Sequence, residues 1–229
     1  MSLRLIVLGI STFARSLIDY VNANADAEII AVDTNERIVN EIVEKVSRGM
    51  IGDATNIELL KKLGVDDADR ILVSVASIEA SLLAVLHLRN LKASHTTVEA
   101  ISEPHRQLLE LLQVDEIIFP EKQMSAFYGL RMLHPGFRGA RALCTDKSLV
   151  AASDLDELAG MPLGDIEKKY EIDVVYMVRT ADDRAFKPSA EETVNRDDLL
   201  VVAGTNEQLD TFERALGAPG PYGKLVPWW

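Results

Sequence analysis

Along the first 120 positions, short wholly apolar runs alternate with longer stretches in which apolar residues recur every three or four positions. Leu3 to Leu8 is apolar apart from Arg4, as a parallel strand buried on both faces should be. A turn at Gly9 to Thr12 follows, and then Phe13, Leu17 and Val21 at helical spacing. Glu28 to Val32 reads as the second strand and ends at Asp33. Asn35 then caps a helix carrying Ile38, Ile42 and Val46 on one face. The short stretch Gly49-Met50-Ile51 leads to Gly52-Asp53-Ala54-Thr55. Asn56 starts a helix from Ile57 to Leu63, which Gly64 stops. Ile71 to Val75, Thr96 to Ala100 and Glu116 to Phe119 read as further strands. Between them lie a helix from Glu79 to Leu91 and one begun by Pro104 in its first turn. Six strands alternating with helices predict a doubly wound parallel sheet of the α/β class.

The pattern changes after Pro120. Glu121 to Leu133 predicts one more helix, with an apolar face that is broad for a helix outside the sheet, and His134-Pro135-Gly136 ends it. Residues 135–141 are expected to be a linker. Beyond it the elements shorten: a strand at Leu149 to Ala151, a helix at Leu163 to Tyr170, a strand at Asp173 to Arg179, a polar turn at Thr180 to Asp183, a strand at Leu199 to Ala203 and a helix at Asn206 to Leu216. The expected organisation is therefore a nucleotide-binding domain over 1–134, a small α+β domain over 142–217 and a turn-rich tail over 218–229 that ends in Trp228-Trp229.

Composition narrows the chemistry. The 229 residues are 48% hydrophobic and 26% charged, which suits packed domains rather than disorder. A formal net charge of −12 argues against nucleic acid, whose binding needs a basic surface to displace counterions. Cys144 is the only cysteine, so no intramolecular disulfide forms. No apolar run approaches the ~18 residues of a membrane span, and Leu5 to Ile10 does not have a signal-peptide layout. A soluble, cytoplasmic protein is expected, with any membrane role exercised through a partner.

Gly9-Ile10-Ser11-Thr12-Phe13-Ala14 stands between a strand and a helix, where a Rossmann-type dinucleotide fingerprint belongs. In the pattern G-x-G-x-x-G/A, the first glycine makes the turn, the second admits phosphates to the backbone and the third allows close helix packing. Here Ser11 replaces the second glycine, with a Cβ that narrows the approach and a hydroxyl able to donate, and Ala14 is an accepted third residue. A bare strand–turn–helix accounts for the motif equally well. Asp33 ends the second strand 24 positions after Gly9, where an acid accepts hydrogen bonds from a ribose diol and repels a 2′-phosphate. Asp53, Ala54 and Thr55 follow the third strand, and Val75, Ala76 and Ser77 follow the fourth, as small or polar residues bordering a nucleotide would. His87, His95, His105 and His134 include no helical zinc spacing and are read as structural or surface residues. No residue is assigned a catalytic or metal-binding role.

Together these residues resemble the RCK family (regulators of K⁺ conductance), including the Ktr and Trk regulatory subunits. The resemblance rests on the strand–Gly turn, Ala31-Val32-Asp33-Thr34-Asn35, Gly52-Asp53-Ala54-Thr55 and Val114-Asp115-Glu116-Ile117-Ile118-Phe119-Pro120-Glu121-Lys122. In the second half it rests on Met161-Pro162-Leu163-Gly164-Asp165-Ile166, Lys187-Pro188 and Arg196-Asp197-Asp198-Leu199-Leu200. One copy of each half is similar to the Ktr type. The resemblance implies ATP, ADP, AMP or NAD(H) in the first domain, a dimer through the region after Pro120, further assembly into a ring, and a K⁺-conducting membrane partner. It places Gly9, Asp33 and Asp53 at turn, ribose-side or base-side positions, and Glu121 near the phosphates or a bound cation. Thr12 stands where many relatives have an Arg, and Glu99 where some have a Lys, so the resemblance also implies weakened triphosphate binding. Two other readings stay open: a Rossmann dimer that gates a transporter or antiporter without ligand, and a dehydrogenase, although the second half holds no histidine.

Overall fold

A computed structural model describes residues 2–217; the expected tail with Trp228-Trp229 lies outside them. The chain divides after Pro120 into two compact units. The first holds six parallel strands in the order β3-β2-β1-β4-β5-β6: β1 Leu3–Leu8, β2 Ala27–Asp33, β3 Arg48–Ile51, β4 Arg70–Val73, β5 Thr96–Glu99 and β6 Glu116–Ile118. β1 lies at the centre, pairing Leu8 with Val32 on one side and with Val73 on the other. This is the strand order of doubly wound nucleotide-binding sheets, and it reverses direction between β1 and β4.

The period of two along a strand sorts the core into layers. Leu5 and Val7 of β1, with Ile29 and Ala31 of β2, pack beneath Ala14 and Ile18 of α1 (Thr12–Asn24) and Val39 and Ile42 of α2 (Glu36–Ile42). Ile6 and Leu8, with Ile30, Val32, Ile71 and Val73, face the opposite layer. That layer is formed by α3 (Ile57–Leu63), α4 (Ile78–Asn90) and α5 (Glu103–Leu111). A polar side chain caps each of these helices: Ser11, Asn35, Asn56, Ser77 and Ser102 each accept a backbone N–H of the first turn. Because every helix follows a strand, the caps gather at the carboxyl edge of the sheet.

The second unit contains α6 (Pro120–Leu133) and an antiparallel sheet in the order β10-β9-β11-β8-β7. Its strands are β7 Phe137–Ala142, β8 Lys147–Ala152, β9 Asp173–Arg179, β10 Arg184–Phe186 and β11 Leu199–Thr205. α7 (Leu163–Tyr170) and α8 (Asn206–Glu213) supply Ile166, Tyr170, Leu209 and Phe212 to one core with Val150, Val174, Met177, Leu200 and Val202. Two expectations are corrected here. Residues 135–141 are not a linker, because β7 pairs with β8 from Phe137 to Ala142. Arg138, Gly139 and Arg141 hid this strand, since an edge strand does not need an unbroken apolar face. α6 does not close the first domain at 134, because Leu130 joins the core of the second unit.

Glu213 fastens this unit. Its side chain is fully buried, and it accepts a hydrogen bond from the Gly136 N–H at 3.1 Å and contacts His134 Nδ1 at 2.6 Å. One carboxylate thus joins the end of α6 to α8. Removing one partner of a buried pair leaves the other without compensation, which costs about 3–5 kcal/mol. Glu213→Ala is expected to lower the stability of the second unit by that amount, read as an earlier transition in urea unfolding.

Candidate functional site

The carboxyl ends of β1 to β5 surround a cleft of about 580 Å³, at the point where the strand order reverses. Its first wall is the turn after β1. Gly9 has φ +86 and donates its N–H to the Val32 carbonyl at 2.8 Å. A Cβ at this position would lie 2.4 Å from the Ser74 carbonyl oxygen, so the backbones of the β1 and β4 ends meet only because residue 9 is glycine.

Asp33 joins the second wall to the first. Its Oδ2 accepts the Ile10 N–H at 2.9 Å, its Oδ1 accepts the Asn35 N–H at 2.8 Å, and its carbonyl accepts the Gly52 N–H at 2.9 Å. Each carboxylate oxygen keeps a second acceptor site for a ribose hydroxyl. Asp53 follows β3, and its Oδ1 accepts from the N–H and hydroxyl of Thr55 at 2.8 and 2.7 Å. These hydrogen bonds hold its carboxyl below the usual carboxylate range. Val32, Ile38, Val75, Ala80 and Ile101 supply apolar surface suited to a planar ring.

The floor is polar. Ser11 caps α1, accepting the Ala14 N–H at 3.1 Å, and its hydroxyl donates to Glu99 Oε2 at 2.8 Å. Ser74 Oγ lies 2.7 Å from Ser11 Oγ and also hydrogen-bonds Glu99 Oε2. Glu99, at the end of β5, is only 7% exposed. No Lys or Arg is among the described residues that line the cleft.

Of the residues singled out from sequence, Gly9, Ser11, Asp33, Thr34, Asp53, Ala54, Val75, Ala76, Ser77 and Glu99 line this cleft. Four are placed elsewhere. Thr12 is exposed at the first position of α1, and Phe13 packs against the core beneath that helix. Thr55 serves to hold Asp53. Glu121 lies in the first turn of α6, in the second unit. Sequence reasoning missed Ile10, Val32, Asn35, Ile38, Gly52, Ser74, Ala80 and Ile101 as lining residues. Ser74 left a signal, the one hydroxyl that breaks the apolar run after Ile71.

His105 supports the rim from below. It is fully buried in α5, and its Nδ1 accepts the Ile101 N–H at 3.3 Å. Burial pushes its pKa below the ordinary histidine value. The unfolded chain therefore takes up a proton near pH 6.5, before the folded chain does, and stability falls as pH drops below about 6.5. His105→Leu is expected to remove this component from urea midpoints measured between pH 7.5 and 5.

A family model described as the TrkA-N domain matches residues 5–120. The Ktr system potassium uptake protein C of Bacillus subtilis is 29% identical over 211 residues, covering 91% of this chain and 95% of that protein. The Ktr system potassium uptake protein A of the same organism is 27% identical, covering 90% and 94%. Among solved structures, the GsuK channel bound to NAD superposes with a TM-score of 0.65 at 18% identity over 97% of this chain. The match spans about 41% of that channel's chain.

Proposed function

The chain belongs to the TrkA-N domain family, and on that premise we propose that it is a cytoplasmic regulatory subunit which senses an adenine nucleotide and controls a membrane protein conducting K⁺. The observation that carries this reading is the cleft itself: a Gly turn, a ribose-side aspartate and apolar walls at the switch point of the sheet. The similarity to two potassium uptake proteins over nearly their full lengths supports the K⁺ partner. The fold shared with a channel solved with NAD supports the nucleotide. The carboxylates lining the cleft, Asp33, Asp53 and Glu99, are each engaged in hydrogen bonds within the protein, and we read the cleft as a site of binding without turnover. No helix among the described residues is long and apolar enough to cross a membrane, so contact with the bilayer is assigned to the partner.

Regulation then follows from differential affinity. A nucleotide shifts the subunit between two arrangements only as far as it binds one more tightly than the other. The signal needs copies to act on, and α6 supplies a surface for pairing them: Met124, Tyr128 and Met132 recur at four-residue spacing and are exposed, Met132 by 75%. We assign the dimer to this stripe. Leu83 and Leu86 of α4 and Leu108 and Leu111 of α5 are also exposed, and we assign the joining of dimers into a ring to these two helices. The lack of a basic residue in the cleft favours a second reading, a scaffold that gates the partner without ligand.

Thermal unfolding with adenosine, AMP, ADP, ATP and NAD separates the two. A ligand at about 100 times its Kd adds roughly 2.7 kcal/mol, or a rise of roughly 5–10 °C for a chain of this size. At least one adenine compound is expected to give that rise, and Asp33→Asn to reduce it. No rise with any of them leaves the scaffold. Light scattering tests the stripe: the chain is expected to run at twice its mass, and Met132→Glu at once its mass.

A further inference from the structure

In this cleft a carboxylate stands at the turn where a dinucleotide sheet receives phosphate. Ser11 belongs to the turn after β1 and caps α1, Ser74 follows β4, and Glu99 ends β5, so three chain segments converge on one oxygen, Glu99 Oε2. A serine hydroxyl has a single proton. That of Ser11 points to Glu99, and that of Ser74 is taken up within the same trio. Neither hydroxyl is left to donate to a phosphate. The sequence suggested that the Ser11 hydroxyl was available for such a bond; the structure turns it inward. Glu99 is 7% exposed and held by two partners, so it cannot swing into solvent. Negative charge near it is weakly screened and meets no cation along the lining.

We propose that Glu99 sets the charge selectivity of the site, making it prefer adenine ligands with the least phosphate charge: adenosine and AMP ahead of ADP, and ADP ahead of ATP. The proposal rests on the nucleotide reading of the cleft and deepens it. Asp33 and the apolar walls hold the nucleoside end, which all these ligands share. Discrimination arises at the other end, where each added phosphate charge lies against the pinned carboxylate. The site would thus report the least phosphorylated members of the adenine pool.

The test is titration calorimetry of adenosine, AMP, ADP and ATP against the full chain and Glu99→Gln. EDTA is present throughout, so that no divalent cation bridges carboxylate and phosphate. Glutamine keeps the shape and an acceptor oxygen for the two serines while removing the charge. Wild-type affinity is expected to fall from AMP to ATP. In Glu99→Gln the ratio of ADP to AMP affinity is expected to rise about tenfold. An unchanged ratio in a folded Glu99→Gln protein overturns the proposal and leaves the nucleotide reading standing. If Glu99→Gln does not fold, the wild-type series decides: affinity that rises from AMP to ATP overturns the proposal. Absence of binding by every ligand in both proteins removes the nucleotide reading and the proposal together.

Discussion

The close approach of Gly9 to the end of β4 is the constraint on which the first unit depends. With φ +86 and no side chain, this residue lets the β1 turn rest on the Ser74 backbone. Any Cβ would force the two strand ends apart, and the hydrogen bond from Ser74 N–H to the Leu8 carbonyl, 2.7 Å long, would go with it. The same approach puts Ser11 beside Ser74 and Glu99, and Ile10 within reach of Asp33. Cleft and core are therefore one problem, and a change that loosens the turn disturbs both the site and the centre of the sheet.

Asp33 carries a double load. It completes the backbone hydrogen bonding of the turn and of the start of α2, and it presents its remaining acceptor sites to the cleft. Backbone N–H groups in a partly buried loop need partners, and Asp33 supplies them from a residue that also suits a ribose. Structural and binding roles thus share one carboxylate, which pre-organises the site before any ligand arrives.

Much of this was legible from the chain. The strand runs, the caps at Asn35 and Asn56 and the stop at Gly64 are local signals with local causes, and the structure uses each of them as such. Asp33 and Gly9 were legible because strand ends at a switch point have fixed tasks. What stayed hidden depends on partners distant in sequence. Glu99 meets Ser11 across 88 positions, and a substitution read as a charge change proved to be a built hydrogen-bonded trio. β7 was hidden for the opposite reason: as an edge strand it needs only one neighbour, so Arg138 and Arg141 carry no penalty there. Phe13 belongs both to the turn motif and to the helical spacing of Leu17 and Val21, and the structure follows the spacing, packing it against the core.

The order of strands in the second sheet has a consequence for how the chain is made. Its middle strand is β11, which joins β8 to β9, yet β11 is the last of the described strands in sequence. Behind it comes Glu213, the partner of His134 and Gly136 across 79 and 77 positions. During synthesis the first unit has all six of its strands once β6 has left the ribosome. The second must wait, with β7, β8 and β9 already made but lacking the strand that unites them. The nascent chain thus carries a finished nucleotide-type domain ahead of two separate strand pairs, β7 with β8 and β9 with β10, which become one sheet only when β11 emerges.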